Sequence, residues 1–485
     1  PPIVNYDTKP PPYEAGSNFN QVFAVKSKRW NDWWGIPIIL AFLAGFVVVS
    51  GIGLNAYSKS KSFQGTGIYS NTNTFSLNTN TVILFVFTTV VGVVFSILWL
   101  CLARAITKKF IYFSLICHLI VAWGTCIFYL VMKYWSAGIV FLVFAVLSTW
   151  FFFVVRSRIP FATLVLQTVI DATRAMPSVY MVSIIGTVIS GLFSVWVSIT
   201  FVTIYIKYDP NPNNPGCNID GGSCSNGKLI GLIAFVVFCG FYLSEVIKNI
   251  IYTTLCGAFG SWYYCYKSVQ GMPKHPALGA FKRSMTTSLG SIGFGSLLVA
   301  IVSFLREICV MFRMTAQQDG NIVAVFLLGF VQCILGILDW LVTFLNHYAY
   351  SFIALYGKAF IPAAKDTWTI IKDRGLDAII NDSIISSVLI LSSTLTAYLC
   401  ALFAYLFLRL THPAYNQTGG FYAPVVALAF AMGLQINNIT NVTINSGVTT
   451  FFIALAKDPE VFKMCYPDIY EDILSTYPKI KDKLN

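Results

Sequence analysis

Long apolar runs alternate with short polar segments along most of the chain. Ten of these runs reach about 20 residues, the length that a helix needs to cross about 30 Å of hydrocarbon. Their hydropathy does not alternate as it does in barrel strands, so each run predicts a transmembrane helix. The ten predicted spans are 34–54, 81–101, 110–132, 136–155, 179–206, 229–251, 286–306, 323–345, 385–408 and 421–445. The pattern predicts an all-α polytopic membrane protein whose ten-helix transmembrane domain covers residues 34–456.

Composition and charge agree with this class. Hydrophobic residues make up 56% of the 485 positions and charged residues 11%, against about 25% charged in soluble domains. With the N-terminus inside and ten crossings, 24 of the 32 Lys and Arg fall on the cytoplasmic side and 8 fall outside. This is the positive-inside bias, so the net charge of +12 reflects topology, and both termini are expected to be cytoplasmic. No nucleic-acid-binding signature accompanies the charge.

Three polar segments flank or interrupt the spans. Residues 1–33 are rich in proline and small polar residues and predict a disordered cytoplasmic tail. Residues 157–178 are weaker in hydropathy than a span and predict an amphipathic helix along the inner face. The alternative for this segment is an eleventh crossing, which would reverse everything downstream and spoil the charge bias. Residues 457–485 predict a cytoplasmic C-terminal tail with a short helical cap.

The N-terminal tail contains a short proline motif. Pro10, Pro11, Pro12 and Tyr13 read as PPxY, a sequence biased to polyproline II that suits the aromatic groove of a WW domain. The motif predicts an interaction with a WW-domain ubiquitin ligase. The alternative is a proline-rich linker with a chance tyrosine.

The loop over residues 207–228 is predicted to be external. It holds Cys217 and Cys224 in the sequence CNIDGGSC, where a Gly-Gly turn would let two thiols approach and oxidise. A disulfide is therefore expected between them, since a zinc site would need further ligands nearby and the loop has no His. Asn416, in the outer loop before span ten, is the one accessible glycosylation sequon.

Catalytic signatures are missing from the sequence. It contains no Walker A, GxSxG or HExxH motif and no Cys/His spacing typical of a metal site. The cytoplasmic segments are also too short for the soluble domain of a nucleotide-driven pump. We therefore expect no enzyme, no cofactor and no metal, and look for a site among polar residues inside the spans.

Glu245 in the sixth span is the most informative of these residues. An ionised carboxylate in hydrocarbon is costly, so it should face the bundle interior or a hydrated cavity. Lys248 lies three residues on, on the same helix face, and a structural pair between the two is one interpretation. Tyr242 lies one turn earlier on that face. The other interpretation is a cation or proton site in which Glu245 supplies the counter-charge.

Aromatic and amide side chains extend the candidate site. Trp196 and Tyr242 could form an aromatic cage for a quaternary ammonium group through cation–π attraction, although packing roles are the alternative. Span ten places amides at steps of three and four: Gln435, Asn438, Asn441 and Asn445. Asn438 and Asn441 are expected either to hydrogen-bond a solute along a hydrated pathway or to join neighbouring helices.

Span eight carries a polar edge of its own. Asp339, Asn346 and Tyr350 recur at about helical spacing and should share one face. The stretch NHYAYSFIALYGKAF (346–360) predicts the inner end of this span, with tyrosines that act as anchors and packing residues.

Several longer blocks resemble the choline transporter-like family, most closely its fungal pH-nine-sensitive branch. They are GSWYYCYK (260–267), AFKRSMTTSLGSIGFGSLLVAIVSFLR (280–306), NHYAYSFIALYGKAFIPAAKDTW (346–368) and TFFIALAKDPEVF (450–462). The resemblance covers essentially everything after residue 28. It implies a ten-helix plasma-membrane protein with both termini inside, whose animal relatives move choline and similar amines.

The expected function is therefore a plasma-membrane transporter or facilitator of a small solute, with choline or another organic cation favoured. The predicted binding residues are Trp196, Tyr242, Glu245, Asn438 and Asn441. The alternative is a non-transporting membrane scaffold or a lipid-interacting helical bundle. An ion channel is disfavoured because no ring-forming filter motif is apparent.

Overall fold

A computed structural model describes residues 30–60, 79–208, 225–266, 271–374, 377–411 and 422–476, and every regular element in these ranges is helical. The long helices are α1 (Gly35–Ser60), α2 (Thr79–Ala105), α3 (Thr107–Val131), α4 (Trp135–Val155), α6 (Ser178–Tyr208), α7 (Asn226–Cys265), α9 (Leu289–Gln318), α10 (Ile322–Tyr356), α12 (Asp377–Thr411) and α13 (Tyr422–Lys457). The described residues contain ten segments long and apolar enough to cross a membrane. The predicted all-α class and the predicted number of spans are confirmed.

Five shorter helices join or follow the long ones. They are α5 (Ile159–Ala175), α8 (Pro276–Met285), α11 (Phe360–Arg374), α14 (Pro459–Cys465) and α15 (Pro467–Thr476). Helix α5 follows a 3-10 turn and buries one face, including Phe161, Val165 and Val169, against the bundle. It is thus a separate helix that packs on the bundle, and its position along the inner face of the membrane stays a prediction.

The outer surface of the bundle is strongly apolar. Ile322 is 82% exposed, Phe326 74% and Val131 72%. Apolar surface on this scale would associate in water, whereas in a bilayer it contacts lipid. These exposed side chains support the same conclusion as hydropathy, namely that the long helices span a membrane.

Helix α7 is the central element of the bundle. It contacts α1, α6, α8, α9, α10 and α13. It continues to Cys265, well beyond the predicted end at residue 251. The added turns carry side chains such as Thr253, Thr254 and Cys256, which are buried against neighbouring helices. Helix packing rather than lipid contact therefore accounts for the length of α7.

Both ends of the described chain lie at the same end of the bundle. Asn31 Nδ2 donates to the carbonyl oxygen of Gly357 at 2.6 Å, and the Asp32 carboxylate accepts from Phe360 N at 2.7 Å. At the other end of the chain, α15 packs on α5 and α14 packs on α7. We call this end of the bundle the termini face. The charge distribution predicts that it faces the cytoplasm.

Candidate functional site

A charged cluster lies on α7 where the sequence predicts it. The Lys248 ammonium is 3.0 Å from Glu245 Oε1, and Asn249 Nδ2 donates to Glu245 Oε2 at 3.3 Å. The Glu245 side chain is 21% exposed and that of Lys248 is 49% exposed. Asn249 is buried and donates from the same nitrogen to Ser296 Oγ on α9 at 3.0 Å. Glu245 therefore faces the interior and has both an ammonium and an amide as partners.

The polar edge predicted for span eight is confirmed, because all three of its residues contact α9. Asp339 Oδ2 is 3.3 Å from Arg306 Nη1. Asn346 Nδ2 donates to the carbonyl oxygen of Gly295 at 2.9 Å, and Tyr350 donates to a second α9 carbonyl oxygen at 3.3 Å. The edge of α10 thus meets the same stretch of α9 that Asn249 of the Glu245 cluster contacts through Ser296 Oγ.

Tyr242 lies in an aromatic cluster next to this polar edge. Its ring centroid is 5.3 Å from that of Phe42 and 6.5 Å from that of Phe238. The side chain is fully buried, and its hydroxyl has no hydrogen-bond partner among the residues that the structure describes. A Cβ atom at Gly293 would lie 3.4 Å from this hydroxyl. An unpartnered buried hydroxyl is costly, so this is a point where a polar ligand would be stabilised.

Trp196 is not part of that cluster. Its indole Nε1 donates to Ser50 Oγ at 2.7 Å, and its ring packs on Phe46 at 5.1 Å and on Phe193 at 6.3 Å. These contacts join α6 to α1. The two rings thus have different nearest aromatic neighbours, and a shared cage of Trp196 and Tyr242 stays a prediction.

The two predicted amides of α13 lie in different environments. Asn438 is exposed on the surface of the bundle, whereas Asn441 donates to Ser393 Oγ at 2.6 Å and to the carbonyl oxygen of Leu389 at 3.0 Å. Asn437, absent from the predicted set, is fully buried and donates to Ser392 Oγ at 2.8 Å. The structure thus brings Asn437 and Asn441 together at the α12–α13 contact, and it places neither of them beside Glu245.

A second polar cluster lies at the termini face, where three of the family-like blocks meet. Asp458 Oδ2 accepts from the Tyr264 hydroxyl at 2.6 Å and from the Tyr356 hydroxyl at 2.9 Å. The two hydroxyls are 2.8 Å apart, and Lys457 lies over the Tyr356 ring at 5.0 Å. Desolvation raises the pKa of the Asp458 carboxyl above its ordinary value, and the two tyrosine hydrogen bonds oppose that shift. The sequence predicted packing roles for the tyrosines of span eight and gave no sign of this shared carboxylate.

A cavity of about 610 Å³ opens beside this cluster at the termini face. Its walls come from α7, α8 and the C-terminal end of α10, together with Asn31. Among the residues that the structure describes, the charged side chains that line it are Lys282 and Arg283, and none is an Asp or a Glu. Such a lining disfavours an organic cation inside this cavity.

The remaining predicted sites lie outside the described residues. These are Pro10, Pro11 and Tyr13 of the PPxY motif, the cysteines Cys217 and Cys224, and the sequon residue Asn416. In the described ranges, no three His, Cys, Asp or Glu side chains are grouped in a way that could hold a metal ion.

The chain matches proteins of a known family over most of its length. A family model described as plasma-membrane choline transporter matches residues 139–460. Protein PNS1 of Yarrowia lipolytica is 55% identical over 485 residues, covering 100% of this chain and 84% of that protein. Protein PNS1 of Gibberella zeae is 48% identical over 469 residues, covering 96% of this chain and 86% of that protein. Protein PNS1 of Saccharomyces cerevisiae is 46% identical over 473 residues, covering 96% and 88%.

The ten long helices and the polar cluster between them define a polytopic, transporter-like membrane protein. The chain belongs to the choline transporter-like family, within the fungal branch that the PNS1 proteins form. The family resemblance seen in the sequence is thereby confirmed.

Proposed function

We propose that the chain transports or facilitates a small organic cation, with choline favoured, across the plasma membrane. The observation that carries the proposal is the interior carboxylate of Glu245, one helical turn from the buried Tyr242 ring and its unpartnered hydroxyl. A carboxylate beside an aromatic cluster offers both the charge and the π face that an ammonium group needs. The proposed site keeps Tyr242 and Glu245 from the predicted set and adds Phe42, Phe238 and Tyr350.

Lys248 occupies the position that a solute ammonium would take at Glu245. Its side chain is half exposed and sits on a flexible four-carbon stem, so it can swing toward the headgroup region and release the carboxylate. An arriving cation would then replace one ammonium by another, and Glu245 would keep a partner throughout. This exchange avoids an unpaired charge within the membrane, which is the costly state.

Other predicted residues take structural roles in this proposal. Trp196 joins α6 to α1, Asn441 joins α13 to α12, and Asn438 lies on the outer surface. The proposal retains cytoplasmic termini, a disulfide between Cys217 and Cys224, and glycosylation at Asn416. The WW-binding role of the PPxY motif also stays a proposal drawn from the sequence.

Uptake of radiolabelled choline into proteoliposomes that hold the purified full chain tests the proposal. Saturable uptake above that of protein-free liposomes, with competition by other quaternary amines, is the expected result. One observation favours the non-transporting scaffold. The glycines of α9 are in close contact with other helices, and a Cβ at Gly293 or Gly295 would collide with Ile39 or Tyr350. No saturable uptake of choline or of any other amine would reject the cation proposal and favour the scaffold.

A further inference from the structure

The cavity at the termini face holds an arginine, Arg283, that forms no ion pair with an acidic residue of the described ranges. The Arg283 guanidinium lies between α7 and α8, where its Nη2 is 3.4 Å from the position of a Cβ atom at Gly257 and its Nη1 is 3.8 Å from one at Gly279. Among the described residues, no carboxylate forms an ion pair with Arg283 and no acceptor bonds its side chain. The side chain is exposed in the cavity, and the backbones of α7 and α8 lie on one side of the guanidinium.

The walls of the cavity partly desolvate the Arg283 guanidinium. Desolvation lowers the pKa of the Arg283 guanidinium from its ordinary value, and no neighbouring charge offsets the effect. An arginine stays charged in spite of such a shift, so the cost of partial dehydration is not relieved by loss of the proton. Because the Arg283 side chain remains exposed in the cavity, an anion can reach it and form charge-assisted hydrogen bonds with the guanidinium.

The rest of the lining is positive or donates hydrogen bonds. Lys282 and His275 add basic groups, and Ser261 and Thr287 add hydroxyls. The residues just before α9, including Ser288, also line the cavity. The N-terminus of α9 itself is covered by Asp32, whose carboxylate accepts from Ser291 Oγ at 2.6 Å. The groups that can receive an anion are therefore the side chains that line the cavity.

The exposed side of α8 is apolar, which indicates that the cavity lies near a membrane surface. Leu278, Phe281 and Met285 are exposed, whereas Ala277 and Ala280 are buried against the bundle. Exposed apolar residues beside a basic edge are typical of a helix that lies in the headgroup region. Arg283 therefore lies where both a lipid phosphate and a soluble anion can reach it.

We propose that this cavity binds a phosphate ester, with the Arg283 guanidinium as its principal ligand and Lys282, Ser261 and Thr287 as further contacts. The planar fork of an arginine matches two phosphate oxygens, and a phosphate has enough acceptors for the remaining donors. The ester is carried either by a lipid headgroup or by a soluble metabolite. This site is separate from Glu245, and the proposal stands whether or not the chain moves a cation.

Thermal unfolding of the purified full chain in a phosphate-free detergent tests the proposal. The probes are inorganic phosphate, glycerol phosphate and dioctanoyl phosphatidic acid, each compared with sodium chloride at equal ionic strength. Binding to the folded state raises the midpoint of unfolding, and above the dissociation constant the rise continues with the logarithm of ligand concentration. We expect a rise of this form with at least one phosphate probe and none with chloride.

Matched variants assign the effect to the arginine. Arg283→Gln should weaken the apparent phosphate affinity about tenfold or more, since a charge-assisted hydrogen bond contributes that much, and Arg283→Lys should retain part of it. Arg313→Gln removes an equal charge at the far end of α9, where Arg313 is exposed and bonds Gln332 at 2.9 Å. This control should bind phosphate as the wild type does.

The probes also separate the two sources of the ester. A response to glycerol phosphate and inorganic phosphate points to a soluble ester, and a response to phosphatidic acid alone points to a lipid headgroup. A second measurement needs no variant: phosphate should protect Arg283, but not Arg313, from modification by phenylglyoxal, as mapped by peptide mass spectrometry. Absence of a midpoint shift with every phosphate probe, or equal modification of Arg283 with and without phosphate, would overturn the proposal.

Discussion

The Tyr264 hydroxyl donates a hydrogen bond of 2.6 Å to Asp458 Oδ2 and so ties the end of α7 to the junction between α13 and α14. Tyr356 at the end of α10 donates to the same oxygen at 2.9 Å. Each of these residues belongs to a different family-like block of the sequence. One carboxylate thus fixes the ends of three long helices at the termini face, next to the Arg283 cavity.

Removal of this carboxylate should destabilise the bundle. Asp458→Ala takes an acceptor from two buried hydroxyls, so we expect the free energy of unfolding to fall by about 1–3 kcal/mol. Asp458→Asn keeps an oxygen at the same place and should cost much less. Chemical unfolding of the two purified variants beside the wild type measures the difference. Equal stability of Asp458→Ala and the wild type would contradict a structural role for this carboxylate.

The same residue predicts a pH dependence with a definite sign. The pKa of Asp458 in the folded chain is raised above the ordinary value of 3.8, so the folded state holds the proton more firmly than the unfolded state does. Its contribution is fully present below 3.8 and is lost as the pH rises through the folded pKa. As the pH rises above 3.8, the wild type should therefore lose stability relative to Asp458→Asn until the carboxyl of the folded chain is ionised. A constant difference between the two unfolding midpoints over that range would reject the raised pKa.

Hydropathy predicted the number of helices well but not their ends. The apolar signal of span six stops near residue 251, yet α7 continues to Cys265 because its last turns are buried by protein. Likewise, Tyr356 lies where span eight was predicted to leave the membrane, but its hydroxyl donates a hydrogen bond to Asp458. A single sequence records which residues avoid water, and it does not record whether lipid or another helix covers them.

The amides between α12 and α13 give a prediction about stability alone. Asn441 bonds Ser393 and a main-chain carbonyl oxygen, so Asn441→Leu should lower the free energy of unfolding by about 1 kcal/mol. Asn438→Leu, on the exposed face of the same helix, is the matched control and should change little. Neither substitution should alter the apparent affinity for choline in the uptake assay. A large loss of choline affinity in Asn441→Leu, with normal stability, would show that Asn441 contributes to the binding site.

The orientation of the termini face can be tested with tags. The charge distribution predicts that an epitope inserted at Gly221 is labelled on intact cells and that one at Lys274 is labelled only after permeabilisation. Lys274 lines the approach to α8 at the termini face. The reverse labelling would contradict cytoplasmic termini and would place the Arg283 cavity outside the cell.

The sequence identified the Glu245 cluster better than the rest of the site. A carboxylate within an apolar span is rare enough to be recognised alone, and its spacing to Tyr242 and Lys248 follows from helix geometry. Trp196 has no such local signal, because the partner of its ring depends on how α6 packs. The buried amide of Asn437 was missed for the same reason: the spacing in span ten does not say which face another helix covers.

The central claim is that Glu245 supplies the counter-charge for a cation. Glu245→Gln preserves the shape of the side chain and removes its charge, so the fold should persist while choline uptake weakens. In a purely structural pair, the same change leaves Lys248 without its partner, and the free energy of unfolding falls by about 1–2 kcal/mol. The double variant Glu245→Gln with Lys248→Met leaves neither charge unpaired and should recover any lost stability.

Saturation kinetics of choline uptake into proteoliposomes, measured for the wild type, Glu245→Gln and the double variant at equal protein density, test this claim most directly. We expect both variants to be reconstituted normally and to show about a tenfold or greater rise in the half-saturating choline concentration, as follows from loss of a charge-assisted contact. Uptake by Glu245→Gln with the half-saturating concentration of the wild type would contradict the account.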